Sequence, residues 1–326
     1  MTLISLYDAL LLDLDGTVWE SGRSIPGAVD SIRRSEKPAV YVTNNASRSS
    51  DEIAQMLQTI GIKAEPKDVL TSAHAAVKMA VDSFGIGTKA LVLGTNSFKE
   101  LANKSGLQVV SSANDKPACV LQGHSTATGW AELSEAAYAI RAGAKYLASN
   151  LDTSLPTKRG LAVGNGSMVA AVVSATGIKP VSAGKPEPAM FLQAAANIGA
   201  VKPLAVGDRL DTDILGGNRA NMDTLYVATG VSSLLDVLDA PEEMRPTYIG
   251  SSMNDLFSPV SELIPSPQGE FTSRIDGNDI LLSGGNAEST PIQALRTIAQ
   301  VAWATERKFE LIRPQSEAAE RVLAKW

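Results

Sequence analysis

Asp13 and Asp15 stand two residues apart in Asp13-Leu14-Asp15-Gly16-Thr17, directly after the apolar run Leu10-Leu11-Leu12. In an extended segment, side chains two residues apart share a face, so both carboxylates can approach one substrate. Gly16 permits close approach of the backbone to a ligand. One carboxylate able to attack, beside a second carboxyl able to hold a proton, suits two-step phosphoryl transfer. The competing description is an ordinary Asp- and Gly-rich turn at a strand end. Thr43-Asn44-Asn45 has the same placement after Ala39-Val40-Tyr41-Val42, and its hydroxyl and N–H groups could hold phosphate oxygens. Lys185, in Gly184-Lys185-Pro186, offers a mobile point charge for a transferring phosphoryl group, although a lone lysine at a helix start is usually solvated. Gly207-Asp208-Arg209-Leu210-Asp211-Thr212-Asp213-Ile214 sets three acids within six residues. That set suits a hard cation, magnesium above all, or else a solvated acidic turn.

These groups need a scaffold, and the pattern around them describes one. Apolar runs of four to six residues alternate with amphipathic stretches, the pattern of a parallel sheet wrapped in helices. Further strand-like runs fall at residues 90–93, 118–121, 204–206 and 224–228, with a helix at about 28–34. After Lys185, Pro186 and Pro188 open a helix whose Phe191, Ala194, Ala195 and Ile198 share a face, and Gly199 closes it. Ligands of doubly wound sheets bind at the carboxyl ends of strands, so clusters at three strand ends predict one shared site. Residues 86–180 carry their own βα alternation and are long enough for an inserted domain. From Pro259 the chain changes character. Pro259, Pro265, Pro267 and Gly269 mark a linker, followed by a strand pair at 271–275 and 279–282. A helix over 291–305 is capped by Thr290 with Gln293 at N3, and a strand at 309–312 and a helix at 317–325 complete the tail.

Composition sets the outer bounds. The chain has 326 residues, 29 Lys+Arg against 35 Asp+Glu for a net charge of −6, and is 44% hydrophobic and 20% charged. That describes a globular protein of about two domains. No apolar run reaches about 18 residues, so no membrane span is expected, and the N-terminus lacks the basic region of a signal peptide. An isoelectric point near 5.1 without a Lys/Arg stripe argues against nucleic acid as a partner. The single cysteine, Cys119, forbids an internal disulfide and fits a reducing cytoplasm. Two histidines, His74 and His124, are too few for a His-rich metal site, so any metal must be held by oxygen.

Taken in order, the four clusters resemble the motifs of the haloacid dehalogenase (HAD) superfamily. Asp-Leu-Asp-Gly-Thr-Val-Trp, Thr-Asn-Asn, Gly-Lys-Pro and Gly-Asp-Arg-Leu-Asp-Thr-Asp-Ile are similar to its NagD-like, or 4-nitrophenylphosphatase, branch. The resemblance covers residues 8–255. It implies an α/β fold: a Rossmann-like core with a parallel sheet over 1–85 and 181–258, an inserted α/β cap of the C2 type over 86–180, and a small α+β appendage over 259–326. It further implies that Asp13 attacks phosphorus and becomes an aspartyl-phosphate, and that Asp15 protonates the leaving alcohol and then activates water. Thr43, Asn45, Lys185 and the backbone N–H of Asn44 would hold the substrate's phosphoryl group. Magnesium would sit on Asp13, the main-chain carbonyl of Asp15 and Asp208, with Asp213 orienting its waters. In the cap, Ser149-Asn150-Leu151-Asp152 and Gly164-Asn165-Gly166-Ser167 resemble loops that lie near the substrate in relatives, so Asn150 and Asp152 would read the leaving group, unless they form an Asx turn and a Gly-rich turn.

The activity so implied is a magnesium-dependent phosphatase of small phosphorylated metabolites, with glycerol 3-phosphate the leading substrate. Phosphoglycolate, a sugar phosphate or pyridoxal phosphate are the alternatives within enzymes, and a non-catalytic metabolite sensor is the alternative outside them. The tail resembles part of an acetyltransferase-like (GNAT) fold without the Gly-rich cofactor loop, which suggests packing or an oligomer contact such as a homodimer. Of the remaining residues, Trp19 is expected to pack, His74 to lie on a helix surface, Cys119 to be buried and inert, and Arg209 and Asp211 to pair with each other. His124, in the cap, is a further candidate for ligand contact.

Overall fold

A computed structural model describes the chain except for Ser21, Lys158, Glu306 and Arg307. It divides into two compact units, one of Met1–Glu20, Ser24–Ala39 and Ala200–Trp326, the other of Ser21–Arg23 and Val40–Gly199.

The first unit is built on four parallel strands, ordered Tyr248–Gly250, Asp223–Val227, Pro203–Gly207 and Ala9–Leu12. Every residue of Ala9–Leu12 and Pro203–Gly207 is buried. A strand covered on both faces has no reason to alternate, which explains the uninterrupted Leu10-Leu11-Leu12. The expected helix forms as Ala28–Ser35, with Arg33 and Arg34 in its last turn, where the helix dipole favours cations.

The tail belongs to the same unit. Phe271–Asp276 pairs antiparallel with Asp279–Gly284, which pairs parallel with Leu311–Pro314. The helix Pro291–Ala302 starts with the expected capping box, Gln293 N–H on Thr290 Oγ1 and Thr290 N–H on Gln293 Oε1. It stops three residues short of 305, where the indole N–H of Trp303 turns to the Leu238 carbonyl. The last strand begins two residues later than expected, because Phe309 packs against the tail's own apolar cluster instead of joining the ladder. The helix Glu317–Leu323 ends the chain's regular structure.

Among the described residues the second unit holds three sets of paired strands, one of them the antiparallel pair Ser154–Thr157 and Gly160–Val163. Ala39–Thr43 pairs parallel with Val69–Thr71, and helices Ser50–Thr59 and Ser72–Phe84 follow these strands. A five-stranded parallel sheet runs in the order Val181–Ser182, Lys145–Ala148, Cys119–Gln122, Lys89–Leu93, Gln108–Val110, joined by helices including Trp130–Arg141 and Asn165–Thr176. Cys119 is fully buried in its central strand, and burial pushes its thiol up to about 11, which leaves it inert. The helix after Lys185 spans Ala189–Asn197 and buries Met190, Phe191, Ala194 and Ala195; Gly199 follows at φ 64°.

Candidate active site

In the first unit, Asp13 is the residue past the end of Ala9–Leu12, and its N–H donates to the Val206 carbonyl at 2.9 Å. That bond extends the ladder by one step and keeps the two strand ends level, so Asp13 and Asp208 emerge side by side. Asp208 is fully buried; its carboxylate accepts the Val231 N–H at 2.6 Å and the Thr17 hydroxyl at 3.3 Å. A wide π-turn, Leu210–Ile214, then brings Asp213 back, where its carboxylate accepts the Arg209 N–H at 3.1 Å. Such turns are rare and concentrate at functional sites. Asp13, Asp208 and Asp213 each present an oxygen within 4.8 Å of the others. Three carboxylates this close repel one another unless a cation lies among them, and an all-oxygen donor set fits magnesium. Glycines make room for the cluster. Gly16 has φ +95°, and a Cβ there would lie 2.5 Å from an Asp208 carboxylate oxygen. Side chains at Gly207 and Gly230 would collide with Asp213 and Asp208.

Asp15 is exposed, and beneath it Trp19 is 4% exposed. The turn between them closes through Val18 and Trp19 N–H groups on the Leu14 carbonyl and the Gly16 N–H on the Trp19 carbonyl. This returns the indole so that its N–H donates to Asp15 Oδ1 at 2.9 Å. Trp19 therefore does more than pack. The available signal was its chemistry: a buried indole N–H needs an acceptor, and a carboxylate stands four residues away. Arg209 and Asp211 pair locally as expected, through two parallel bonds of 3.1 and 2.8 Å.

In the second unit, Thr43, Asn44, Asn45, Asn150, Asp152 and Lys185 come together. Lys185 is 4% exposed, and its Nζ donates to the Val42 carbonyl at 2.9 Å. The solvated-lysine alternative is thereby set aside. The side-chain amide of Asn44 addresses both backbone groups of Lys185: Oδ1 accepts the Lys185 N–H at 2.8 Å, and Nδ2 donates to its carbonyl at 3.1 Å. The same Nδ2 donates to Asp152 Oδ2 at 3.2 Å. Thr43 Oγ1 accepts the Asn45 N–H at 3.1 Å, and Asn45 Oδ1 accepts the Ser47 N–H at 2.9 Å.

Asn150 lies differently from the expectation of a group facing the leaving alcohol. It is 4% exposed, its Nδ2 donates to the Asn44 carbonyl at 2.7 Å, and its Oδ1 accepts the Asp152 N–H at 3.2 Å. Its amide is committed to holding two loops. Ser72 donates to the same Asn44 carbonyl at 2.7 Å, and Asn165 to the Asn150 carbonyl at 2.7 Å. Neither was singled out from sequence for this role, because their partners lie 28 and 15 residues away.

His74 is not a plain surface residue. It sits at N3 of Ser72–Phe84 and closes a capping box with Thr71, whose N–H lies 3.4 Å from Nδ1; burial lowers its pKa. His124 is half-buried, and among the described residues none hydrogen-bonds to its Nδ1.

Two family models match the chain, one described as haloacid dehalogenase-like hydrolase over residues 10–108 and one as HAD-hydrolase-like over residues 182–256. The chain belongs to the haloacid dehalogenase-like hydrolases. This HAD hydrolase is 41% identical over 303 residues to a D-glycerol 3-phosphate phosphatase of Mycobacterium tuberculosis, covering 91% of its own chain and 86% of the relative. It is 34% identical to an acid sugar phosphatase of Staphylococcus aureus, covering 79% and 98%. Among solved structures it matches a glycerol phosphate phosphatase of Mycobacterium tuberculosis in complex with magnesium, with TM-score 0.95, 39% identity, and 100% and 98% of the two chains covered. A thermostable NPPase of Geobacillus stearothermophilus matches with TM-score 0.70 and 32% identity, covering 78% and 98%. The resemblance carried by the four motifs is thus borne out for the HAD hydrolase fold and its 4-nitrophenylphosphatase neighbours.

Proposed function

We propose that this HAD hydrolase dephosphorylates small phosphate monoesters, glycerol 3-phosphate foremost, through an aspartyl-phosphate on Asp13. The observation that carries the proposal is the buried carboxylate cluster of Asp208 and Asp213 level with Asp13, in a chain so similar to a D-glycerol 3-phosphate phosphatase.

A carboxylate oxygen of Asp13 attacks phosphorus as the bond to the leaving oxygen breaks, and Asp15 gives that oxygen its proton. Asp15 then takes a proton from water as the water attacks phosphorus, releasing inorganic phosphate and restoring Asp13. Thr43, Asn45, Lys185 and the Asn44 N–H bind the phosphoryl oxygens during both steps. Asp13, Asp208, the Asp15 carbonyl and, through water, Asp213 would hold magnesium, which neutralises charge developing on the phosphoryl oxygens. Asn150 and Asp152 keep the Thr43–Asn45 loop in place, and Asp152 also faces the leaving group. We assign residues 1–85 and 181–258 to a core, 86–180 to a C2-type cap and 259–326 to an appendage; the separate family matches over 10–108 and 182–256 support a core in two pieces, the first match running on into residues given to the cap. Among the described residues no helix is long and apolar enough to cross a membrane, and the single buried thiol supports a cytoplasmic setting.

A panel of glycerol 3-phosphate, phosphoglycolate, sugar phosphates and pyridoxal phosphate, assayed with magnesium, tests this function. The highest kcat/KM is expected for glycerol 3-phosphate. Preference for another ester would move the substrate, and inactivity on all of them would leave a metabolite sensor.

A further inference from the structure

We propose that the C-terminal appendage is a positioning element for the metal ligand Asp208, acting through the short helix Leu234–Leu238. The inference rests on the metal role given to Asp208 above. Asp208 is held from the segment just ahead of that helix: Val231 N–H donates to its carboxylate at 2.6 Å, and Ser232 N–H to its main-chain carbonyl at 3.3 Å. Ser232 Oγ also accepts the Leu210 N–H at 3.1 Å, and its carbonyl accepts the Tyr226 hydroxyl at 2.6 Å. Ser233 then caps Leu234–Leu238. A five-residue helix is far below the length that is stable alone, so its position depends on what it packs against.

The tail supplies that packing. The helix Pro291–Ala302 lies against Leu234–Leu238, and Trp303 N–H donates to the Leu238 carbonyl at 3.3 Å. The two faces of the tail helix do different things. Leu295 and Ala299 share a buried cluster with Val237, Tyr226 and the π-turn residues Leu210 and Ile214. Ala294, Ile298 and Ala302 turn to the tail's own strands and last helix, in a cluster with Phe271, Ile280 and Leu282. Arg296 between them, 5% exposed, donates through Nε to the Ile249 carbonyl at 2.7 Å and ties the helix to the edge strand of the sheet. Both clusters lie inside the unit that carries Asp208, and the appendage is part of the core that fixes a ligand.

The Leu295 cluster holds Val237 and the π-turn residues, whereas the Ile298 cluster meets the short helix through the partly buried Leu238, so one residue from each makes the test. Magnesium binding to full-length Leu295→Ala, Ile298→Ala and Asp208→Ala is measured by calorimetry, with thermal denaturation of each. Leu295→Ala is expected to weaken magnesium about tenfold, the size seen when groups supporting a metal ligand are removed. Ile298→Ala should lower Tm with magnesium affinity unchanged, and Asp208→Ala should abolish binding. Leu295→Val serves if Leu295→Ala fails to fold, with a smaller loss of affinity expected. Unchanged affinity in the Leu295 variants, with binding lost in Asp208→Ala, would overturn the inference alone. Binding retained in Asp208→Ala would overturn the metal assignment beneath it.

Discussion

The indole N–H of Trp19 donates to Oδ1 of Asp15 across 2.9 Å, from a side chain that is almost fully buried to one that is exposed. A rigid donor thus holds the proposed proton donor in one orientation. Proton donation matters for an alcohol that leaves poorly and little for one that leaves well. Trp19→Phe keeps the packing and removes the bond, so it should cut kcat on glycerol 3-phosphate by about tenfold or more while changing p-nitrophenyl phosphate turnover only slightly. Equal losses on both esters would mean that Trp19 acts through the fold alone.

Asp13→Asn should lower turnover about 10⁴-fold or more, with circular dichroism and Tm close to those of the parent. Near-parental hydrolysis in that variant would remove Asp13 as nucleophile.

Asn44→Ala leaves the Lys185 N–H and carbonyl and the Asp152 carboxylate without the amide that joins them. Displacing a substrate-binding group by about 1 Å costs about 10²-fold, so kcat/KM should fall on that order. Asn150→Ala, which removes a donor from the Asn44 carbonyl, should produce a smaller loss in the same direction. An Asn44→Ala enzyme with parental kcat/KM would separate that amide from catalysis.

Chelation should stop turnover, and magnesium should restore it. Because Asp13, Asp208 and Asp213 lie so close together, the folded state should also gain stability from the cation. At about a hundredfold excess over Kd the gain is about 2.7 kcal/mol, visible as a rise in Tm. Asp208→Ala should lose that rise, and a Tm indifferent to magnesium would contradict the cluster's role.

His74 has its pKa lowered by burial, so the folded state binds its proton less readily than the unfolded chain. Its contribution to stability is full above the unfolded value of about 6.5 and declines as pH falls below it. Gln at N3 can still close a capping box, so His74→Gln should keep Tm at pH 8 and flatten its decline between pH 7 and 5. An identical pH slope in parent and variant would place the titration elsewhere.

Much of this hydrolase was determined by local sequence. A strand buried on both faces must be continuously apolar, so Ala9–Leu12 and Pro203–Gly207 announced themselves, and the polar residues that end them had to lie at the ligand-binding edge. The capping box of Thr290 and Gln293 likewise set the start of the tail helix, because its bonds span three residues. Tertiary structure alone decided which partners those groups would take. Lys185 and Asn44 lie 141 residues apart, so nothing local could tell that one amide would grip both backbone groups of the lysine. Asn150 could read as a substrate ligand until burial committed its amide to Asn44, and Leu295 could read as generic core until packing set it behind Leu234–Leu238. Covalent spacing governs bonds within a turn or a strand, whereas a contact between distant segments exists only once burial has paired their surfaces.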